Sequence, residues 1–278
     1  MKQDIKLIAF DLDGTLLNER LMFSPRVRQA IKRVQHETDV RLMLATGRMF
    51  ASALPFVQAL GFTLPLVGYQ GGMTRALTPG YPICQHTPLE LARAHALIEQ
   101  LCALKLNVNV YVNDVLYTNA CPNVSSWYAN AARVRPVVLQ DAEALIKATT
   151  SPPTKLVVIT EDDDPQGEAH LAAARERLML MEGITFCSSR RGFLEIMHAD
   201  ASKWAAVRRV AEDCGIAPEA VMAVGDHEND LSMITQAGVG VAMGNAPEHV
   251  RAQAPYVTAS ITDDGAADAI ERFVLTSV

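Results

Sequence analysis

The sequence predicts an α/β fold in which a parallel sheet is interrupted by a separate α+β unit. Short apolar runs alternate with helical segments at both ends of the chain, as in parallel strands joined by helices. The middle of the chain instead contains alternating strands separated by turns, as at residues 107–118. We therefore expect one α/β domain that carries an inserted domain.

The elements of the outer parts follow from their boundary residues. Residues 6–10 read as a buried strand that ends at an acidic cluster. Ser24 and Pro25 start a helix, because Ser caps free amides and Pro fits the first turn. Gly61 ends another helix, in which Pro55 should cause a kink. The expected strands and helices here are 6–10, 25–35, 40–45, 49–60, 66–69, 203–214, 221–224, 230–236, 239–242 and 265–275.

The inserted part is predicted to begin at about Tyr81 and to end near His198. Asp114 lies where a hairpin turn should join two strands, and the loop 151–153 (SPP) precedes a further strand. The expected elements of this part are 89–104, 107–112, 115–118, 124–132, 142–148, 155–160, 166–181, 184–187 and 193–197.

The composition excludes several classes of protein. The 278 residues suffice for one large domain or two smaller ones with an apolar core. A net charge of −6 without a basic run argues against nucleic-acid binding, which depends on Lys and Arg. The cysteines form no CxxC pair, so neither a zinc site nor a disulfide framework is indicated. They are Cys84, Cys102, Cys121, Cys187 and Cys214.

The first residues predict the location of the protein. They lead directly into an apolar strand, whereas a signal peptide needs a basic start, a longer apolar stretch and a cleavage site. No apolar stretch approaches the roughly 18 to 20 residues of a membrane span. We therefore expect a cytoplasmic protein without a membrane partner.

The first chemical signal is the segment 11–15 (DLDGT), directly after the first strand. A carboxylate can attack a phosphoryl group when Mg²⁺ screens the repulsion between them. Asp11 is therefore the candidate nucleophile and metal ligand. Asp13 is the candidate general acid and base, and its backbone carbonyl could also reach the metal. A solvated acidic turn would contain the same residue types.

Two further positions could bind an anion. Thr46, Gly47 and Arg48 end the second expected strand before a helix, where a hydroxyl and free amides converge. Lys203 opens a helix, and its ammonium could balance the nucleophile's charge and hold a phosphate oxygen. Taken alone, the first is also an ordinary strand-to-helix connector and the second an ordinary solvated lysine.

The strongest segment is 225–230 (GDHEND), which follows an apolar strand and opens a helix. Mg²⁺ prefers oxygen ligands, so Asp226 is expected to join the first acidic segment as a direct ligand. Asn229 offers its amide to a phosphate oxygen or a metal-bound water. Asp230 is expected to orient waters and Lys203 rather than to touch the metal. Helix capping by these acids is the alternative.

These four segments, in this order, resemble the haloacid dehalogenase superfamily of phosphohydrolases, and most closely its Cof-type branch. The family motifs are DxDGT followed by Leu or Val, a strand that ends in Thr or Ser, a lysine, and GDxxND. Residues 241–246 (VAMGNA) also resemble a stretch typical of that branch. The resemblance covers essentially the whole chain.

The resemblance implies a Rossmann-like core with an inserted cap of the C2B type. Residues 1–81 and 198–278 would form the core and residues 82–197 the cap, which in that family closes over the substrate and sets specificity. It also implies Mg²⁺ as the cofactor and an aspartyl-phosphate on Asp11. The substrate class is a small phosphorylated metabolite, such as a sugar phosphate, pyridoxal phosphate or nucleotide-type monophosphate.

Every candidate residue receives a role in this scheme. The catalytic residues are Asp11 and Asp13. The metal ligands are Asp11, Asp13 and Asp226, and Asp230 supports them. The phosphate-binding residues are Leu12 and Gly47 through their backbone amides, together with Thr46, Lys203 and Asn229.

Two positions depart from the family pattern. Gln70-Gly71 stands where relatives usually have Asn-Gly, and Trp204 follows Lys203 where a glycine is frequent. We expect Gln70 to alter contacts near the leaving group and Trp204 to alter the packing beside Lys203.

Three alternatives use different chemistry. A dehalogenase is disfavoured because it needs no acid at Asp13. A phosphomannomutase-like phosphomutase would return the phosphoryl group to a sugar hydroxyl and would need a bisphosphate activator. A non-catalytic phosphometabolite-binding protein would keep the fold without turnover, but the presence of Asp11, Asp13, Lys203 and Asp226 argues against it.

Overall fold

A computed structural model describes residues 4–119, 133–160, 165–188 and 191–275. Its α-helices and strands are, in chain order, β1 (Leu7–Phe10), α1 (Pro25–Glu37), β2 (Arg41–Leu44), α2 (Phe50–Leu60), β3 (Leu66–Gly68), β4 (Met73–Arg75), β5 (Ile83–His86), α3 (Leu91–Ala103), β6 (Asn107–Val112), β7 (Val115–Thr118), β8 (Val137–Val138), α4 (Ala142–Ala148), β9 (Lys155–Ile159), α5 (Gly167–Leu178), β10 (Ile184–Cys187), β11 (Phe193–His198), α6 (Lys203–Asp213), β12 (Val221–Gly225), α7 (Leu231–Gln236), β13 (Val239–Ala242), α8 (Glu248–Arg251), β14 (Tyr256–Val257) and α9 (Gly265–Phe273). None of the helices in these described ranges has the length and hydropathy that crossing a bilayer requires.

The chain divides into two compact units. The first contains Met1–Gly47, Ala53–Gln85 and Ser202–Val278, and the second contains Arg48–Ser52 and His86–Ala201. At both main junctions these bounds lie four residues after those expected from the sequence. At the first junction the reason is β5, which continues a small sheet of the order β3-β4-β5. The assignment of residues 1–81 and 198–278 to a catalytic core stays a prediction.

The first unit is built on a parallel sheet, as the sequence predicts. Its strand order is β14-β13-β12-β1-β2, and every neighbouring pair is parallel. A parallel bridge between Ala45 and Val67 continues the pairing towards β3. All residues of β1, β12 and β13 are buried, which explains their continuous apolar sequences. Because the strands are parallel, the loops that follow β1, β2 and β12 lie at one edge of the sheet.

Helix α6 packs on one face of this sheet through Trp204. This side chain is buried in a cluster with residues of β1, β2 and β12. The indole therefore fills core volume beside Lys203.

The expected start of helix α1 is confirmed, because Ser24 Oγ accepts a hydrogen bond from Val27 N at 3.1 Å.

The second unit is the predicted α+β unit. Its sheet has the order β10-β11-β9-β6-β7-β8, and its pairs are antiparallel except for β7 and β8. Asn113 and Asp114 both have left-handed φ angles, of 51° and 64°, so Asp114 lies in a tight hairpin turn as expected. One face of the sheet packs against α3, α4 and α5 in an apolar core.

Most expected elements agree with the structure to within two residues at each end. The helix expected at 166–181 ends earlier, at Leu178, and a left-handed Gly183 follows it. Helix α2 runs through Pro55 without a break. The elements that were not predicted have two to four residues: β4, β5, β8, β14 and α8. The helix expected at 124–132 lies outside the described residues.

A buried ion pair joins two strands of the second unit. Lys155 Nζ in β9 lies 2.6 Å from Glu195 Oε2 in β11, and the two side chains are 5% and 2% exposed. We expect Lys155→Met to lower the free energy of unfolding by about 3 to 5 kcal/mol, because the Glu195 carboxylate would remain buried without the positive charge of Lys155. Denaturant unfolding of the purified variant measures this change.

An exposed ion pair in the same unit provides the matched control. Lys147 Nζ also lies 2.6 Å from a carboxylate, that of Glu143, but these side chains are 73% and 75% exposed. We expect Lys147→Met to have little effect, because water screens the pair. Replacing Lys155 and Glu195 together with Met and Leu should be less destabilising than Lys155→Met alone. An equal loss in Lys147→Met and Lys155→Met would contradict the argument.

Candidate active site

The centre of the site is a buried lysine between two carboxylates. Lys203, the first residue of α6, is 1% exposed. Its Nζ lies 2.5 Å from Asp11 Oδ1 and 2.6 Å from Asp230 Oδ1. Asp11 follows β1, and Asp230 belongs to the turn after β12, so the parallel sheet brings the two acids together. Because almost none of the Lys203 side chain contacts water, its ammonium is stabilised by the two carboxylates instead of by solvent.

Asp230 uses both of its carboxylate oxygens within the protein. Oδ1 accepts from Lys203, and Oδ2 accepts from the backbone N–H groups of Asp226 and His227 at 2.9 and 3.1 Å. Asp230 is fully buried. Its hydrogen bonds therefore fix the loop that carries Asp226 and hold the ammonium of Lys203 beside Asp11.

Asp226 is oriented by two side chains from other loops. Thr15 Oγ1 donates to Asp226 Oδ1 at 3.1 Å, and Asn245 Nδ2 donates to Asp226 Oδ2 at 3.3 Å. Asn245 Nδ2 also donates to the carbonyl of Gly14 at 3.0 Å. Gly14 has a φ of 80°, and a Cβ atom there would lie 2.2 Å from Asp226 Oδ2. Only glycine therefore lets the first acidic loop approach Asp226 this closely.

The charges of the cluster are not balanced within it. Burial and repulsion from Asp230 raise the pKa of Asp11 well above its usual value, although Lys203 acts against this. Burial, again with repulsion from Asp230, raises the pKa of Asp226 to about 7, although the hydrogen bond from Thr15 acts to lower this pKa. Burial alone would lower the pKa of Lys203, but attraction by Asp11 and Asp230 outweighs it and the pKa is raised. Lys203 therefore stays protonated and positively charged among these acids.

The acidic cluster has the composition of a metal site. Asp11, Asp226 and Asp230 each place a carboxylate oxygen within 4.8 Å of the others. When ionised, the three acids and Lys203 carry a net charge of −2, which a divalent cation would neutralise. Asp230 is engaged by Lys203 and two amides, so Asp11 and Asp226 are the better placed ligands. Oxygen donors alone suit a hard cation.

A second group of residues surrounds the end of β2. Thr46 is buried, and its carbonyl accepts from Gln70 N at 3.0 Å. Gln70 Oε1 accepts from Asn229 Nδ2 at 2.9 Å. Gly47 lies against the Gln70 side chain, since a Cβ atom at Gly47 would come within 2.3 Å of Gln70 Nε2. Thr46, Gly47 and Asn229 are therefore brought together, and Gln70 joins them.

Asp13 and Leu12 continue the loop after Asp11. Asp13 is exposed, and its charge contributes to the raised pKa values of both Asp11 and Asp226. Leu12 is buried, and its carbonyl accepts from the amides of Leu16 and Leu17 at 3.0 and 2.8 Å. These bonds close the loop into a tight turn, which leaves Asp13 on its outer side.

Two residues of this site received no role from the sequence. Thr15 lies in segment 11–15 and Asn245 in segment 241–246. Thr15 is 211 positions from Asp226 in the chain, and Asn245 follows a different strand, β13. The sequence shows only that a hydroxyl and an amide are present in these motifs, not that they contact Asp226. Gln70 was recognised only as a departure from the pattern.

Several known proteins are similar to this chain over nearly its whole length. The sequence profile of the haloacid dehalogenase-like hydrolases matches residues 8–270. The pyridoxal phosphate phosphatase of Escherichia coli (strain K12) is 31% identical over 278 residues, 97% of each chain. A 5-amino-6-(5-phospho-D-ribitylamino)uracil phosphatase of Bacillus subtilis (strain 168) is 29% identical and covers 98% of this chain and 97% of its own.

A solved structure extends the similarity to the fold. The crystal structure of a haloacid dehalogenase-like hydrolase from Bacteroides thetaiotaomicron superposes with a TM-score of 0.83 at 30% identity. It covers 96% of this chain and 99% of the other chain. The parallel-sheet domain and the inserted antiparallel-sheet domain are therefore both shared.

Proposed function

Because the chain belongs to the haloacid dehalogenase-like hydrolase family and is a phosphatase, we propose that it hydrolyses the phosphate monoester of a small metabolite with Mg²⁺, through an aspartyl-phosphate on Asp11. The observation that carries this proposal is the cluster of Asp11, Asp226 and Asp230, in which Asp11 and Asp230 also contact Lys203. It supplies a nucleophile, a place for a cation and a fixed ammonium within one buried cluster.

Hydrolysis would proceed in two steps. In the first, a carboxylate oxygen of Asp11 bonds to phosphorus, the ester P–O bond breaks, and Asp13 gives its proton to the leaving oxygen. In the second, Asp13 takes a proton from water, the water oxygen attacks the acyl-phosphate, and phosphate leaves with Asp11 restored. The exposed position of Asp13, next to the buried nucleophile, suits a group that exchanges protons with leaving group and water.

The other residues would hold the charged groups in place. Mg²⁺, when bound, would be held by Asp11, Asp226 and the backbone carbonyl of Asp13, and would supply positive charge against which phosphate can approach a carboxylate. Phosphate oxygens would be bound by Lys203 and by four residues of the loops at the sheet edge, namely Leu12, Thr46, Gly47 and Asn229. Asp230 would keep Lys203 and Asp226 in position.

We further propose that residues 1–81 and 198–278 form the catalytic core and that residues 82–197 form a cap that sets specificity. The relatives support the substrate class, since those described above act on pyridoxal phosphate and on a phosphorylated ribitylamino-uracil. A cytoplasmic location, inferred from the sequence, belongs to the same proposal.

A metabolite screen tests the proposal. Purified protein with Mg²⁺ is incubated with pyridoxal phosphate, hexose phosphates, nucleoside monophosphates and p-nitrophenyl phosphate, and phosphate release is measured. We expect release from at least one natural monoester and none above background from the Asp11→Asn variant. Tight binding of such an ester without release would favour the non-catalytic binding protein instead.

A second arm of the screen separates hydrolysis from mutase chemistry. A phosphomutase would move the phosphoryl group between hydroxyls of a sugar phosphate and would depend on a sugar bisphosphate. We expect phosphate release without any bisphosphate and no isomeric sugar phosphate among the products. Isomerisation that depends on the bisphosphate would show that the protein is a phosphomutase instead of a hydrolase.

A further inference from the structure

Gln70 joins two of the residues proposed to bind phosphate. It is 2% exposed and has a left-handed backbone, with a φ of 57°. Its N–H donates to the carbonyl of Thr46 at 3.0 Å, and its side-chain Oε1 accepts from Asn229 Nδ2 at 2.9 Å. Glycine and asparagine adopt such a positive φ more readily than glutamine does. The backbone conformation of Gln70 therefore needs support from its contacts.

Gly47 leaves the space through which the Gln70 side chain passes. A Cβ atom at Gly47 would lie 2.3 Å from Gln70 Nε2 and 2.8 Å from its Cδ. These distances are shorter than any ordinary contact, so a larger residue would displace the Gln70 amide. The glutamine is thus confined by the backbone of the second motif on one side and by Asn229 on the other.

The hydrogen bond to Gln70 also determines what Asn229 can still offer. An amide nitrogen carries two hydrogens, and the bond to Gln70 uses one of them. Asn229 Oδ1 is buried and has no hydrogen-bond partner among the described residues. A buried acceptor without a donor is unfavourable, which points to a donor that a ligand or its water supplies.

We propose that Gln70 is a positioning residue for phosphate. Its side chain fixes the plane of the Asn229 amide, so that the second Nδ2 hydrogen is available to a phosphate oxygen. The same orientation leaves Oδ1 available to a protonated phosphate oxygen or a water. The inference rests on the proposed phosphate site and deepens it, because it explains how Asn229 is held.

The test measures the binding of inorganic phosphate, in the presence of Mg²⁺, by titration calorimetry. Gln70→Met keeps the length of the side chain but removes its amide, and we expect phosphate to bind about 5 to 30 times more weakly, because a misoriented Asn229 amide weakens its hydrogen bond to phosphate without removing it. Gln35→Met is the matched control. Gln35 Nε2 donates to Leu60 O at 3.0 Å in the same unit, so this variant also loses a glutamine hydrogen bond but should bind phosphate like the wild type.

A double-mutant cycle distinguishes positioning from direct contact or general destabilisation. If Gln70 acts through Asn229, the variant Gln70→Met/Asn229→Ala should bind phosphate no more weakly than Asn229→Ala alone. Additive losses, or unchanged affinity in Gln70→Met, would overturn the inference. Should Gln70→Met fail to fold, Gln70→Asn keeps the amide one methylene shorter and must show the same loss. A wild-type protein that binds no phosphate would instead refute the proposed function, and this inference with it.

Discussion

Asp11→Asn is expected to lower kcat by at least about 10⁴-fold, because the amide oxygen of Asn cannot form the acyl-phosphate. Asn is nearly isosteric with Asp. Lys203 Nζ, which lies 2.5 Å from Asp11 Oδ1, should therefore stay in place. Turnover of the best ester from the metabolite screen, at saturating Mg²⁺, measures the loss. Asp4→Asn makes the same change at an exposed aspartate of the same unit and should leave kcat unchanged.

The folding of the Asp11→Asn variant is part of the same prediction. Burial and the neighbouring Asp230 raise the pKa of Asp11, which means that its ionised form is disfavoured in the folded protein. Without added Mg²⁺, Asn should therefore leave the melting temperature unchanged or higher at neutral pH. A variant that melts like the wild type and retains more than a tenth of its kcat would show that Asp11 is not the nucleophile.

Asp226→Ala is expected to weaken the response to Mg²⁺ and the activity together. Asp226 is one of two carboxylates left for a cation once Asp230 is bound to Lys203 and two amides. We expect the Mg²⁺ concentration for half-maximal activity to rise at least about 100-fold, because loss of a direct ligand should exceed the 10 to 100-fold effect of removing a ligand's support. Titration of activity with Mg²⁺ measures it.

The control for Asp226→Ala is Asp213→Ala, which removes an exposed aspartate near the end of α6. Its Mg²⁺ titration should coincide with that of the wild type. Calorimetric titration of Mg²⁺ into Asp226→Ala without substrate adds a measurement that does not depend on turnover. An unchanged Mg²⁺ response would remove Asp226 from the metal site while leaving Asp11 as a possible nucleophile.

The main features of the fold were predictable because they depend on local sequence. Residues 7–10 and 221–224 are apolar throughout and are followed closely by acidic residues, as expected of buried parallel strands that end at a site. Strand direction alone then places the loops after β1, β2 and β12 at one edge of the sheet. For this reason the sequence could indicate which side chains meet without giving any distance.

The parts that were not predicted depend on partners distant in the chain. Strands β4, β5, β8 and β14 are too short for a periodic pattern and exist through pairing with their neighbours. The bond between Gln70 and Asn229 spans 159 positions, and that between Thr15 and Asp226 spans 211. A single sequence does not show which residues pair over such separations.

The roles of the site residues are a separate matter from their positions. The structure places Asp230 against Lys203 and two backbone amides. Whether Asp13 moves protons, and whether Thr46 and Lys203 bind phosphate oxygens, stays a prediction for the experiments described above.

The covalent state of Asp11 during turnover tests the central claim most directly. The protein is mixed with excess substrate and Mg²⁺, quenched in acid within milliseconds, digested and analysed by mass spectrometry. We expect a phosphoryl group on the peptide that contains Asp11, removable by hydroxylamine as acyl-phosphates are, and absent in Asp11→Asn. Product formation with an unmodified Asp11 peptide at every quench time, or a phosphoryl group on another residue, would contradict the account.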